Sequence, residues 1–181
     1  MKLGQIFAIV GPSGAGKDTL MIGAKQARPN LHLARRVITR PESLGGENFE
    51  GVTTAEFSRR RASGGFALWW EAHGLLYAIP QSVRVWLADG HDVIFNGSRV
   101  ALPAALAAFP VLKVVLISAP SDVLAKRLAE RGRENATDIQ NRLERAGYDL
   151  PDGIKPLKVV NDQSPEIGTA RLLEALHPVS A

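Results

Sequence analysis

The chain has 181 residues, 45% of them hydrophobic and 22% charged, with a net charge of +4 and no cysteine. That length suits one domain with a sizeable core, and the balance is that of an ordinary globular protein. Disulfides and cysteine-based metal sites are excluded, which suits a reducing cytoplasm.

The first element is the apolar run Ile6-Phe7-Ala8-Ile9-Val10, read as a strand. It is too short, and too soon broken, for a signal peptide or membrane span. Gly11-Pro12-Ser13-Gly14-Ala15-Gly16-Lys17-Asp18-Thr19 follows, and a helix is expected from Thr19 to Ala27. Strand, glycine-rich loop and helix together form the context of a phosphate-binding loop. Its glycines allow the backbone to approach a ligand closely, and successive N–H groups point into one concavity. The following helix adds its positive end, and Lys17 reaches the terminal phosphates of a nucleoside triphosphate. One position departs from the pattern: Asp18 stands where Ser or Thr would place a hydroxyl on magnesium, and Thr19 lies about 100° further round the helix. Asp18 is either an acid favoured by the helix dipole or a metal-linked carboxylate, and repulsion from a triphosphate favours an intervening cation. Asp18 and Thr19 are therefore the candidate magnesium residues.

Leu31 to Arg40 reads as a strand emerging into a basic end stopped by Pro41, with a loop from Ser43 to Gly51. A helix over Thr54–Ser63, with Thr54 as N-cap, ends at Gly64-Gly65. Phe66 to Pro80 reads as short strands joined at Gly74, and Ser82 to Asp89 as a helix. Asp92 to Arg99 is a buried parallel strand opening onto polar residues, at the end where open α/β sheets bind ligands. The helix Pro103–Ala108, the strand Leu112–Ile117, the basic helix Ser121–Arg131 and the helix Asp138–Ala146 come next. The strand Pro156–Val160 and the helix Pro165–Leu176 close the pattern. Apolar runs alternating with helices predict an α/β fold, a parallel sheet covered on both faces.

These residues resemble the guanylate kinase-like branch of the nucleoside monophosphate kinases over nearly the whole chain. Val37-Ile38-Thr39-Arg40-Pro41 is similar to that family's strand ending in a phosphate-holding arginine. Phe66–Pro80, with His73-Gly74 and Tyr77, is similar to its acceptor-binding passage. Ala125–Arg133 with Asn141-Arg142-Leu143 resembles its arginine-bearing lid, and Val159-Val160-Asn161-Asp162 the segment whose asparagine contacts adenine. The resemblance implies a P-loop kinase of three layers with a parallel five-stranded core, an acceptor-binding insert near residues 35–85 and a mobile lid near 121–147. It implies ATP and Mg2+ as cofactors.

The departures narrow the activity. Leu68 stands where guanylate kinases read guanine with a glutamate, and leucine cannot pair with the base's N–H donors. Ser43 replaces a second phosphate-binding arginine, Phe49 a tyrosine ligand, and Asn96-Gly97-Ser98 an acidic strand end. Gly16-Lys17-Asp18, Trp70-Glu71-Ala72-His73-Gly74-Leu75 and Asn96-Gly97-Ser98-Arg99 together resemble the subfamily that phosphorylates ribose 1,5-bisphosphate during phosphonate breakdown. That resemblance implies a small phosphosugar acceptor, with no nucleic-acid or membrane partner.

Phosphoryl transfer asks the protein to align two phosphates and offset charge, and an ionised phosphate acceptor needs no general base. Lys17 is then the bridge between β- and γ-phosphates. Arg36 and Arg40 are acceptor-phosphate candidates, against a solvated basic strand end. Arg127, Arg131 and Arg133 are lid arginines for the transferring group, Arg127 and Arg131 as catalytic candidates, against exposed helix charges; Arg142 is a further substrate candidate. Ser98 and Arg99 lie at a strand end, and Tyr77 lies in the acceptor passage. Glu71 could accept a ribose hydroxyl and His73 shape the turn, although both could be ordinary satisfied polar residues. Trp69, Trp70 and Trp86 read as core or pocket wall, and Arg59-Arg60-Arg61 as a solvated helix face. The competitors are a guanylate kinase with relaxed base recognition and a non-catalytic binding module, which typically lacks the phosphate loop retained here.

Overall fold

The computed structural model describes residues 3–130, 132, 136–144 and 148–177, without the side chains of Ala136, Gln140, Arg142 and Glu144. The chain opens with β1 (Ile6–Val10), α1 (Lys17–Ala27) and β2 (His32–Ala34). It continues through β3 (Val37–Ile38), a 3₁₀ turn at Glu42–Leu44, β4 (Glu50–Gly51) and α2 (Thr54–Ala62) to β5 (Phe66–Ala72) and β6 (Leu75–Pro80). Then follow α3 (Ser82–Ala88), β7 (Val93–Asn96), α4 (Leu102–Ala108), β8 (Lys113–Ser118) and α5 (Ser121–Glu130). The last elements are α6 (Ala136–Glu144), β9 (Leu157–Val160) and α7 (Pro165–Leu176).

Five strands form the expected parallel sheet, in the order β2-β7-β1-β8-β9. All of β1 is buried, which is why it reads as a continuous apolar run rather than an alternation. Its residues still divide by face. Ile6, Ala8 and Val10 pack with Val83 of α3 and Leu102 and Ala105 of α4. Phe7 and Ile9 pack with Leu20 of α1, Leu124 of α5 and Leu172 of α7. Helices therefore cover both faces, giving three layers. Among the described residues no helix is long and apolar enough to cross a membrane.

The expected strand over 31–40 is two strands. β2 joins the parallel sheet, whereas β3 joins a second sheet ordered β4-β3-β6-β5, and Arg35 and Arg36 occupy the break. Apolar residues resume at Val37-Ile38 directly after the two arginines, so hydrophobicity alone did not reveal the switch. β5 and β6 form an antiparallel hairpin turned by His73 and Gly74, at φ 52° and 72°. Both central residues at positive φ match a primed hairpin turn, in which glycine carries no Cβ penalty. The cap of α2 is Thr53 rather than Thr54: its Oγ1 accepts from Glu56 N at 3.1 Å, the spacing of a capping box. α1 begins at Lys17, two residues before the expected Thr19.

Candidate active site

The phosphate-binding loop runs from the end of β1 into α1. Lys17 Nζ donates to the carbonyls of Gly11 at 2.8 Å and Pro12 at 3.2 Å, so its ammonium lies across the loop. Ala15 N donates to Pro12 O at 3.2 Å, tightening the curve. Gly16 caps α1 at φ 89°, and a Cβ there would lie 2.5 Å from Asn161 Nδ2. Glycine is required twice over, for the turn and for the neighbour. That neighbour is 4% exposed, and its Nδ2 donates to Ala15 O at 2.8 Å. On its other side, a Cβ at Gly168 would come within 2.5 Å of Asn161 Oδ1. Asn161 thus clamps the loop against α7.

Two recesses meet at this loop. One, of about 270 Å³, is lined by Gly14, Gly16, Thr19, Arg127 and Asn161, among others. Arg127 reaches over it, with Nη1 3.4 Å from Gly14 O and 3.5 Å from Ala15 O. The other, of about 430 Å³, brings Gly11, Ser13 and Lys17 together with Arg36, His73 and Tyr77. Ser98 and Arg99, just beyond β7, complete its wall. The C-terminal ends of β1 and β7 open into this second cleft, as parallel-sheet geometry dictates. Residues far apart in sequence thereby surround one space with three cationic groups. Asp18, in the first turn of α1, accepts from Asn96 Nδ2 at 3.3 Å.

Two candidates stand apart from the cleft. Arg40 donates to Gly45 O at 2.7 Å and stacks 4.5 Å over the ring of buried Phe49. The residue that lacks the tyrosine hydroxyl is thus the platform for this guanidinium. Glu71 is exposed, on the face of β5 opposite Trp70 and Ala72, both of which line the cleft. Leu68 is 5% exposed and belongs to the core below. Arg131 and Arg133 lie outside the described residues, as does the side chain of Arg142. The exposed Arg59 and the half-buried Arg60 bind Glu56 on the outside of α2. Two strong donors hold the Glu56 carboxyl well below its usual range, at about 2. Trp70 stacks on Tyr77 at 5.4 Å, and Trp69 is exposed under Arg61.

Sequence reasoning missed two residues here. Tyr148 lines the cleft, lies 4.8 Å beneath the Arg99 guanidinium and accepts from Arg99 N at 3.3 Å. Burial pushes its hydroxyl pKa up, partly offset by backbone hydrogen bonds with Arg99 and Gly11, so it stays protonated at neutral pH. Its aromatic type in a polar stretch was the available signal. Glu47, in the glycine-containing loop, pairs with Arg36 and accepts from Asn96 Nδ2 at 2.6 Å. Nothing local marked it, because both partners are remote in sequence.

The donors near Lys17 suit a hard cation: Asp18 offers carboxylate oxygen beside the loop that would hold phosphates. Among the described residues no cluster of three or more metal-type side chains forms. A magnesium ion carried by nucleotide phosphates and steadied by one carboxylate fits this set.

No protein-family model matches the chain. It is 47% identical over 174 residues to a ribose 1,5-bisphosphate phosphokinase of Agrobacterium fabrum, covering 94% of this chain and 95% of that one. A ribose 1,5-bisphosphate phosphokinase of Rhizobium etli is 52% identical over 145 residues, 78% of this chain and 74% of the relative. A bifunctional ribose 1,5-bisphosphokinase-thymidine phosphorylase of Cupriavidus necator is 48% identical over 174 residues; the chain spans 29% of its length. Among solved structures, guanylate kinase from Anaplasma phagocytophilum superposes with a TM-score of 0.66 at 19% identity, covering 97% of this chain and 85% of that one. The last likeness shows the fold, that of guanylate kinase-like P-loop kinases. The chain belongs to the ribose 1,5-bisphosphate phosphokinase family.

Proposed function

We propose that the chain transfers the γ-phosphoryl group of ATP to ribose 1,5-bisphosphate, releasing ADP and 5-phosphoribosyl 1-diphosphate. The observation that carries this reading is the 430 Å³ cleft, whose lining brings Lys17, Arg36 and Arg99 together. Arginine forks bind phosphate oxygens in pairs, and an acceptor with phosphates at both ends of a ribose uses two of them. Where a guanylate kinase would recognise guanine, this chain buries Leu68 in the core.

An oxygen of the acceptor's C1 phosphate attacks the γ-phosphorus, and the bond from that phosphorus to the β–γ bridging oxygen breaks. The bond electrons leave with ADP. The attacking oxygen is already ionised near neutral pH, so the protein need only align and stabilise. The loop N–H groups from Ser13 to Thr19 cradle the triphosphate, and Lys17 turns from Gly11 and Pro12 onto the β- and γ-phosphates. Arg36 and Arg99 hold the two ends of the acceptor, with Ser98 and Tyr77 against the sugar. Asp18 would hold Mg2+, directly or through water, and the ion would supply charge neutralisation there. Arg127 caps the nucleotide recess, whose wall includes Asn161. The segment around residues 121–147 acts as a lid whose arginines, Arg131 among them, meet the transferring group.

Phosphorus-31 NMR of the protein with MgATP and ribose 1,5-bisphosphate tests this. The reading expects paired diphosphate resonances of the C1 product to grow in step with ADP. ATP turnover dependent on GMP, with the sugar bisphosphate unconsumed, would replace it with a guanylate kinase.

A further inference from the structure

Arg36 does not stand alone in the cleft. It lies in the short break between β2 and β3, where its backbone carbonyl accepts from Glu50 N at 2.8 Å. Its Nε–H donates to Glu47 Oε1 at 3.0 Å, and its Nη2 donates to the same oxygen. The guanidinium lies 5.2 Å over the Tyr77 ring, which is itself stacked on Trp70. The second oxygen of Glu47 accepts from Asn96 Nδ2 at 2.6 Å, and that nitrogen also reaches Asp18 Oδ1 at 3.3 Å. A continuous chain, Arg36–Glu47–Asn96–Asp18, therefore joins the acceptor wall to the first turn of α1.

Position separates the roles within it. Arg36 lines the cleft and Glu47 does not. Their side chains are 13% and 12% exposed. With both oxygens engaged behind the arginine, Glu47 is a backing group and not an occupant of the phosphate seat. Two of the five guanidinium N–H groups point back to it, which leaves three for an anion. An arginine without such backing samples many rotamers, and that freedom is lost on binding.

We propose that Glu47 is a positioning residue: it holds the Arg36 fork open to the acceptor phosphate and, through Asn96, keeps Asp18 in register with it. The inference rests on the reading of this cleft as the acceptor-phosphate site. Glu47 touches neither substrate, and its effect passes through Arg36.

The full chain is tested in two ways. The first is steady-state kinetics of Glu47→Gln, which keeps size and a hydrogen-bonding carbonyl but removes the charge. The acceptor KM is expected to rise about tenfold while the ATP KM stays within about twofold. In an Arg36→Ala background the same change is expected to add less than about twofold. An unchanged or lowered acceptor KM, or the same factor in both backgrounds, overturns the proposal; a lowered KM would make Glu47 a competitor for the phosphate seat. The second is the side-chain Nε–H NMR signal of Arg36, identified by its loss in Arg36→Lys. It is expected to be sharp and protected from exchange in the parent protein and lost in Glu47→Gln; a signal unchanged in Glu47→Gln refutes the backing role. Should the parent protein fail to consume ribose 1,5-bisphosphate, the substrate reading falls and the NMR signal still decides the role of Glu47.

Discussion

Replacing Asn161 with alanine removes a buried side chain that ties the end of β9 to the phosphate-binding loop. The lost contact is the 2.8 Å bond from Nδ2 to Ala15 O. Ala15 is fully buried, and the remaining donor near its carbonyl, Arg127 Nη1 at 3.5 Å, is too distant to replace it. Stranding a buried acceptor costs about 1–3 kcal/mol. A cost of about 2 kcal/mol lowers the unfolding midpoint of a protein this size by roughly 4–8 °C. The same change frees Gly16 and slackens the cradle, so the ATP KM is expected to rise in parallel. Circular dichroism melting and initial-rate kinetics on one preparation measure both. If Asn161 served only to touch adenine, the ATP KM would rise and the melting midpoint would not move. That outcome, or neither quantity changing, refutes the clamp.

Lys17→Ala is expected to lower kcat by about 10²–10³-fold, read from initial rates at saturating substrates, since it removes one preorganised charge from the transferring group. Asp18→Ala is expected to raise the magnesium concentration needed for half-maximal rate, read from a magnesium titration at saturating ATP; an unaltered titration returns Asp18 to a helix-dipole role. Arg36→Ala is expected to raise the acceptor KM by about 10–100-fold while sparing the ATP KM. The Glu56 contribution follows pH with a defined sign. Its carboxyl, near 4.5 when unfolded, is held at about 2 in the fold by hydrogen bonds from Arg59 and Arg60. Its stabilisation is therefore full above 4.5 and fades as pH falls towards 2. Melting midpoints of Glu56→Gln and the parent protein should differ at pH 7 and converge near pH 2; a constant gap contradicts the assignment.

The parallel core was legible because β1, β7 and β8 are buried on both faces and read as unbroken apolar runs. The phosphate-binding loop was legible because its function is local: glycines, a lysine and a helix start lie within nine residues. Thr53 illustrates a signal present but misassigned. Either of two adjacent threonines satisfies N-cap chemistry, and only the three-residue spacing to Glu56 selects the first. The break at Arg35-Arg36 was not legible, because the hydrophobic pattern is the same whichever sheet the strand joins. Glu47 and Tyr148 were hidden for a related reason. Their roles come from Arg36, Asn96 and Arg99, which tertiary folding brings to them from distant positions. Glu71 shows the converse: a suggestive neighbour of His73 in sequence, it is carried to the outer face by the two-residue period of β5.

The central claim is that the cleft grips phosphates on both ends of a sugar and has no means of reading a purine. The direct measurement is the ratio of kcat/KM for ribose 1,5-bisphosphate to that for GMP, at saturating MgATP. The account expects the ratio to favour the sugar bisphosphate by at least about a hundredfold. A ratio near one, or one favouring GMP, would contradict it.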